Sequence, residues 1–514
     1  MKIKATILFA AAALTFTACN DWFDVTSSNE VREADHYSTD AGFQQVLTGC
    51  YIAMAEDALY GKNLSWYVPV LAANETTSFG NYASTSTEYA FQSHNYANQY
   101  ARPVCENIWA KAYSVIANAN AALAKIDGKQ QEMNTINYHV VKGELLAVRA
   151  FMHFQLLRLY GYGNWSSRKA ELDAKATVPY VTTVTKEITE QPTGAQFVKL
   201  LVADLTAAAD LLKDYDPVCG THEQSYYDEV NDAGYYNNRN SRLNYYAVKA
   251  LLAQVYLWEG SAASINLARQ AAEEVIAANE DANLIAFDGQ NTYIMYMLDT
   301  QTLNSSNAIM APEMLFGLKT QSLDVSLSGY VKANYADFDY GVFRLTSEDA
   351  ATLFDDPETA DVDETGLDIR FSNMLTQNQA ASSTSGYALT KFSQESLNTY
   401  NKNKVPVIRL PEVYLIAAEC YARASQPNLE KAADLLTAVR QNRGLYTPVS
   451  SSLTADEFLA KLQDEYRREF IGEGEVFYFY KRTGALTMPR HDELTDDDYL
   501  LPYPEFEVQA GRVQ

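Results

Sequence analysis

Two stretches of the chain mix flat aromatic rings with short polar side chains. The first holds Asn74, Glu75, Tyr82, Tyr89, Phe91, Tyr96 and Tyr100. The second holds Tyr293, Tyr296, Tyr330, Tyr335, Phe338 and Tyr340 among Ser, Asn and Asp. This mixture suits noncovalent capture of a sugar. A sugar ring packs its C–H face on an aromatic plane, and its hydroxyls pair with Asn, Asp, Glu or Arg. Asn74, Tyr82, Tyr89, Tyr96, Tyr293, Tyr296, Tyr335 and Tyr340 are the candidate ligand contacts. The competing reading is that such tyrosines only pack their loops onto a scaffold. Tyrosine is the aromatic in excess, with 36 against 21 Phe and 5 Trp.

Covalent chemistry finds little support. The sequence holds no nucleophile elbow, phosphate-binding loop, H-E-x-x-H or P-C-x-x-C. The 6 histidines lack ligand spacing, so no catalytic residue, metal or cofactor is implied. A carboxylate pair for glycoside hydrolysis needs only spatial proximity, and among 65 acidic residues none stands out. The stretch from Asp361 to Asp368 resembles the start of a calcium loop, with Gly366 in its sixth place. The twelfth place is Ser372, which cannot supply a bidentate carboxylate, so an exposed acidic turn is the better reading. Asp496, Asp497 and Asp498 read as a solvated turn. Cys50, Cys105, Cys219 and Cys420 lack C-x-x-C spacing and read as buried free thiols, with a Cys50–Cys105 disulfide left open.

Helices must position these loops. From Lys142 to Trp165, Leu145, Leu146, Val148, Phe151, Phe154, Leu157 and Tyr160 make most of the surface apolar, predicting a core helix over about 135–160. Arg149, His153 and Arg158 lie within that surface and need partners. Asp40 reads as the cap of a helix over 41–56, and further helices are expected at 104–126 and 193–213. Residues 60–102 and 215–241 break the helical rhythm. A hairpin opens at Ser241 and returns over 264–279; a second runs over 410–424 and 428–443. Small residues beside large ones, such as Ala253 with Tyr256 and Ala418 with Tyr421, fit closely packed tetratricopeptide-type pairs. A long insert, about 281–404, separates the two hairpins and carries weak strand signals. Long insertions on a rigid scaffold are where binding is usually placed.

The chain has 514 residues and a net charge of −25, which argues against nucleic acid and anionic lipid as partners. Lys2 and Lys4 precede a short apolar run, Ile7 to Phe16, closed by Thr17, Ala18 and Cys19. The run is too short to span a bilayer. It resembles a bacterial lipoprotein signal over residues 1–18, which implies a lipidated Cys19. Asn20 to Asp24 resembles the surface-export signal of Bacteroidetes lipoproteins. The expected location is the outer membrane, lipid-anchored and facing the cell exterior.

The helix over 135–160 also carries a resemblance. Gly143, Glu144, Arg149, Ala150, Phe154, Leu156, Arg158, Tyr160 and Gly161 resemble the G-E-x-x-x-L-R-A-x-x-Y-F-x-L-x-R-x-Y-G signature of the SusD/RagB family of Bacteroidetes nutrient-binding lipoproteins. The stretch from Arg409 to Glu419 is similar to its R-L-x-E-x-Y-L-x-x-A-E helix. Arg467 to Phe470, Gly472 to Gly474 and Lys481 to Gly484 resemble its R-x-E-F-x-x-E-G…K-R-x-G block. Leu501 to Glu505 resembles the closing L-P-x-P motif. Val476 and Phe479 stand where that block usually has Arg and Asp, so aromatic packing is expected to replace an ion pair there.

The resemblance implies a mainly helical α fold: four tetratricopeptide-like helix pairs in a right-handed superhelical scaffold with long loop-rich insertions. The pairs would span about 41–126, 135–213, 243–279 and 407–443, within a single unit over 19–514 whose first residues, 19–38, form a tether. It further implies a non-catalytic protein that captures a glycan or other nutrient and delivers it to a SusC-like TonB-dependent transporter. The first inter-helix loop and the late insert contribute to the ligand face in such proteins. The family signatures are structural and assign no ligand contact. The competing functions are a surface glycosidase and a helical-repeat scaffold that binds only protein or peptide.

Overall fold

The computed structural model describes residues 36–76, 84–281, 295–331, 343–354, 368–377 and 386–513, and the backbone of two short strands at 286–287 and 292–293. Helix α1 (Asp40–Met54) is capped by Thr39, whose side chain accepts from the Gly42 N–H. Asp40, expected as the cap, lies inside the first turn and turns outward to bond Asn134 and Asn137. The expected loop over 60–102 holds short helical pieces: a π-helical turn (Asn63–Tyr67), α2 (Val68–Ala72) and α3 (Thr87–Gln92). Helices α4 (Arg102–Ile126) and α5 (Thr135–Tyr160) follow, then α6 (Trp165–Ala174) and α7 (Gly194–Leu212), the last opened by a Thr193–Gln196 capping box. The first hairpin is α8 (Tyr245–Glu259) and α9 (Ala262–Glu280). Its cap is Asn244 and not Ser241, which belongs to a 3-10 turn. The second hairpin lies further on.

The insert contains β1 (Ala286–Phe287) paired with β2 (Thr292–Tyr293), β3 (Met314–Lys319), α10 (Leu323–Leu327), β4 (Arg344–Thr346), α11 (Ser347–Phe354), α12 (Ile369–Met374), β5 (Leu375–Gln377), β6 (Gly386–Leu389) and β7 (Lys404–Arg409). β3 and β7 pair antiparallel, from Met314 opposite Arg409 to Lys319 opposite Lys404. β4, β6 and β5 form a small antiparallel sheet in that order. Then come α13 (Leu410–Arg423), α14 (Leu429–Gln441), α15 (Ala455–Phe470), α16 (Glu475–Thr483), α17 (Asp496–Tyr499) and α18 (Glu505–Gln509). Successive helices pack on one another: α1 on α4, α4 on α5, α5 on α7, α7 on α8, α8 on α9, α9 on α13 and α13 on α14. The molecule is a helical, tetratricopeptide-like scaffold with loop-rich insertions. No helix among the described residues is long and apolar enough to cross a membrane.

Helix α5 is central because it is apolar on nearly every side. Only Thr135, His139, Lys142 and Arg149 escape full burial. Its charged groups are all paired. Arg149 makes two bonds to the Asp204 carboxylate and one to Asn120 Oδ1, at 2.6–3.0 Å. Arg158 binds Gln155 and Glu475 and lies 3.7 Å over the Tyr478 ring. His153 faces the Arg149 carbonyl with Nδ1, accepts the Val181 N–H at Nε2 and stacks on Tyr180 at 3.9 Å. A neutral ring satisfies both bonds, and burial lowers its pKa to about 3. Glu144 receives Arg239 at 2.6 Å and the Tyr51 hydroxyl at 2.7 Å, while Asp216 takes the other side of the same guanidinium. This pins the loop over 215–241 to the core.

A second buried network fastens the insert. Arg370, Lys391, Arg409, Arg440, Arg443 and Arg468 face Glu313, Asp368, Glu465, Glu469 and Glu473, all buried. Arg409 reaches Glu313 at 2.6 Å, Glu469 at 2.8 Å and Glu473 at 2.6 Å. Arg443 joins Glu313 and Glu469 at 2.7 and 2.8 Å. Arg370 joins Asp368, Glu465 and Glu469 at 2.5–3.1 Å. Asp368 is thus an ion-pair partner, while residues 361–367 of the calcium-like loop lie outside the described residues. The four cysteines are free thiols, so the open Cys50–Cys105 disulfide is absent, and burial pushes both thiols up to about 12. Tyr466 stacks on Phe479 at 4.7 Å, the aromatic packing expected where an ion pair is missing.

Candidate functional site

The first loop and the insert meet at one carboxylate. Glu88 Oε1, on α3, accepts the Tyr67 hydroxyl at 2.6 Å and the Tyr330 hydroxyl at 3.0 Å. Tyr67 comes from the π-helical turn and Tyr330 from the insert, after α10. Their rings meet edge to face with centroids 5.4 Å apart. Trp66 lies 5.3 Å from Tyr330, and Phe343 closes the group at 5.2 Å from Tyr330. Lys62 Nζ sits 4.0 Å over the Tyr67 ring and 5.3 Å from that of Tyr330. Trp66, Tyr67 and Phe343 are buried; Lys62, Glu88 and Tyr330 are half-buried. Tyr89, beside Glu88, is 43% exposed.

The π-helical turn explains this geometry. Five consecutive residues, Asn63 to Tyr67, are buried, so the turn presses its aromatic pair inward from a wide backbone coil. Ser65 and Trp66 bond back to the carbonyls of Tyr60 and Gly61. Burial lowers the Lys62 pKa. Burial alone would raise that of Glu88, but the hydrogen bonds from Tyr67 and Tyr330, with the charge of Lys62, hold it low. The same burial raises Tyr330 to about 12. The phenols therefore donate and the carboxylate accepts.

The eight candidate contacts divide. Tyr89 is exposed beside the cluster, and Tyr296 is exposed in the insert. Asn74 and Tyr96 are buried and bonded internally. Asn74 Nδ2 donates to the Gln92 carbonyl, and the Tyr96 hydroxyl donates to the Asp498 carbonyl at 2.7 Å. Their role here is to hold the loop. Tyr82, Tyr335 and Tyr340, and the side chain of Tyr293, lie outside the described residues, as does Cys19. Tyr330 and Phe343 flank the stretch that contains Tyr335 and Tyr340. Lys62, Trp66, Tyr67 and Glu88 were not expected. The adjacent Trp66–Tyr67 pair before Pro69 was the available signal.

The loop is also tied from below. Glu75 is buried and accepts the Gly472 N–H at 2.6 Å with Oε2, while Oε1 has no hydrogen-bond partner among the described residues. Burial raises its pKa to about 8. Its carboxyl therefore folds protonated, and the stability this gives is full below the ordinary carboxylate value and lost as pH rises to about 8. Glu75→Gln fixes the neutral form. It is expected to flatten the fall in Tm between about pH 5 and pH 8. Thermal unfolding across that range checks this, and an unchanged slope contradicts it.

Comparison with known proteins bears on these loops. A family model described as starch-binding, associating with the outer membrane, matches residues 21–223, and the SusD family model matches residues 328–508. The chain belongs to the SusD/RagB family. Family members are outer-membrane-associated glycan-binding proteins. The two matched spans contain the two loops that meet at Glu88. Among solved structures, a SusD superfamily protein from Bacteroides thetaiotaomicron VPI-5482 superposes with a TM-score of 0.67 at 24% identity, covering 93% of this chain and 99% of its own. A SusD-like carbohydrate binding protein from Bacteroides vulgatus ATCC 8482 gives 0.66 at 18% identity, covering 92% and 96%. Surface glycan-binding protein A from Bacteroides thetaiotaomicron, solved with laminarihexaose, gives 0.64 at 16% identity, covering 93% and 99%. These likenesses establish the shared fold. No curated protein matches the chain in sequence.

Proposed function

We propose that this SusD-like chain captures a glycan at the cell surface, without catalysis, and hands it to a SusC-like TonB-dependent transporter. In this reading residues 1–18 are a leader, Cys19 carries the lipid anchor, and 19–514 form one SusD-like unit. The observation that carries the proposal is the convergence of Tyr67 and Tyr330, from two distant loops, on Glu88 beside exposed Tyr89. A half-open aromatic wall with fixed donors and acceptors suits a hydroxylated ring, whose apolar face stacks while its hydroxyls bond at the edge. Tyr89 is the proposed stacking contact, with Tyr330 and Glu88 at its side. Tyr82, Tyr293, Tyr296, Tyr335 and Tyr340 remain proposed contacts by their place in the same two loops.

Calorimetry against a panel of neutral glycans, laminarihexaose among them, tests this. Paired Tyr89→Ala and Tyr330→Ala substitutions are expected to weaken binding about 10- to 100-fold, or roughly 1.4–2.8 kcal/mol. Tyr330→Phe keeps the ring and is expected to cost less. Absence of binding to every glycan, or full affinity in the double variant, sinks the assignment of this face. Release of reducing ends from a bound glycan would favour the glycosidase reading instead.

A further inference from the structure

Lys62 carries a charge that the fold leaves without a counterpart. It directly precedes the π-helical turn. Its ammonium sits 4.0 Å over the Tyr67 ring, 5.3 Å from that of Tyr330 and 5.9 Å from that of Trp66. Arg149, Arg158 and Lys391 each reach a carboxylate. The Lys62 ammonium reaches none, and it makes no hydrogen bond among the described residues. Two carboxylates act on it from longer range, Glu88 and Asp57. Both are engaged elsewhere. Glu88 holds the Tyr67 and Tyr330 hydroxyls, and Asp57 accepts the Ser326 hydroxyl at 3.4 Å from either oxygen. Lys62 thus stands beside two bridges that join the first segment of the chain to the insert.

Such a cation is a cost to the fold. Half-burial strips water from the ammonium, and the ring faces make good only part of that loss. A methionine would lay the same straight stem on the same rings without the charge. Folding therefore gives no reason for a lysine here, and binding gives one. An ammonium has three donors and no acceptor, so it meets oxygen lone pairs. Adjacent hydroxyl oxygens of a sugar supply them, and exposed Tyr89, beside Glu88, supplies a plane for the ring. The charges nearby narrow the class of sugar. An acidic sugar is opposed by Glu88 and Asp57, on a chain of net charge −25. A cationic amino sugar is repelled by Lys62 and finds Glu88 already taken by two phenols.

We propose that Lys62 is a ligand contact of the Tyr67–Tyr330 face, donating from its ammonium to adjacent hydroxyl oxygens of an uncharged sugar and setting a preference for neutral over charged glycans. This deepens the glycan reading of that face and rests on it.

Calorimetry on the full chain tests it, with Lys62→Met set against the neutral glycan panel, laminarihexaose among it, and against an oligogalacturonate, and with Tm read in parallel. The parent is expected to bind a neutral glycan more tightly than the oligogalacturonate. Lys62→Met is expected to weaken the neutral binding about tenfold or more with Tm unchanged or raised. Lys62→Arg keeps the charge and is expected to retain more affinity than Lys62→Met. Full affinity in Lys62→Met, beside loss in the Tyr89→Ala, Tyr330→Ala double variant, overturns this inference and leaves the glycan reading standing. Full affinity in both, or binding of no glycan, overturns the two together. A loss of affinity matched by a fall in Tm would make Lys62 a brace of the turn. Tighter binding of the oligogalacturonate would make it an anion contact. Either result overturns the proposal.

Discussion

Replacing Glu469 with Gln is expected to lower the unfolding free energy by about 3–5 kcal/mol, the usual cost of removing one partner from a buried ion pair. Glu469 faces three guanidiniums: Arg409 and Arg443 each at 2.8 Å and Arg370 at 3.1 Å. None of the three is open to water, so each loses an anion that solvent cannot replace. Denaturant unfolding measures the loss. Arg168→Met is the control. Arg168 pairs with Glu171 and Asp496 at the surface, and less than about 1 kcal/mol is expected. The network also sets the acid limit. Burial alone would raise the Glu465 and Glu469 carboxyls, but the arginines overcome it, taking Glu465 down to about 2 and Glu469 well below its ordinary value. Their stabilisation is complete above the ordinary carboxylate value and is lost as pH falls toward 2. A smaller loss on acidification is expected for Glu469→Gln. A variant as stable as the parent would mean that the remaining carboxylates balance the arginines.

Gly474→Ala is expected to damage both the fold and the proposed ligand face at Tyr67. Gly474 opens α16 at φ +87°, and a Cβ there would lie 2.4 Å from the Ser65 carbonyl oxygen. The left-handed backbone alone costs a side-chain-bearing residue roughly 1–2 kcal/mol. The clash adds to this, because the obstacle is backbone and cannot rotate away. Ser65 precedes Trp66 and Tyr67 directly, so relief of the clash moves the π-helical turn. A total loss of about 2–4 kcal/mol is expected, with glycan affinity reduced in the molecules that still fold. Calorimetry at a temperature where the variant is folded separates the two effects. Unchanged affinity would show that the turn yields without moving Tyr67.

Much of the scaffold was legible because its signals are periodic and local. The apolar pattern of α5 predicted the observed bounds, 135–160. The expected second hairpin also stands, at Leu410–Arg423 and Leu429–Gln441. Caps were less secure. Thr39 and Asp40 are both good cap residues, and only the backbone decides between them. The site was harder to read for a physical reason. Composition marks a loop rich in Tyr and Asn but does not distinguish an exposed ring from a buried one. It grouped buried Tyr96 with exposed Tyr89. The Trp66–Tyr67 pair was passed over because a π-helical turn has no helical or strand period. Glu88 could not be singled out among 65 acidic residues until Tyr330 was brought to it from far along the chain.

The charges that fasten the insert have a consequence for how the chain folds. Glu313 and Arg443 are 130 residues apart in sequence, and Arg409 and Glu469 are 60 apart. None of these groups can be dehydrated until its counterparts arrive, since a lone buried charge is prohibitive. Closure must therefore wait for the helices that follow the insert, and contacts of such long range form slowly. The insert's described ion-pair anchors are expected to close together with the C-terminal helices, and the proposed ligand face at Tyr330 with them.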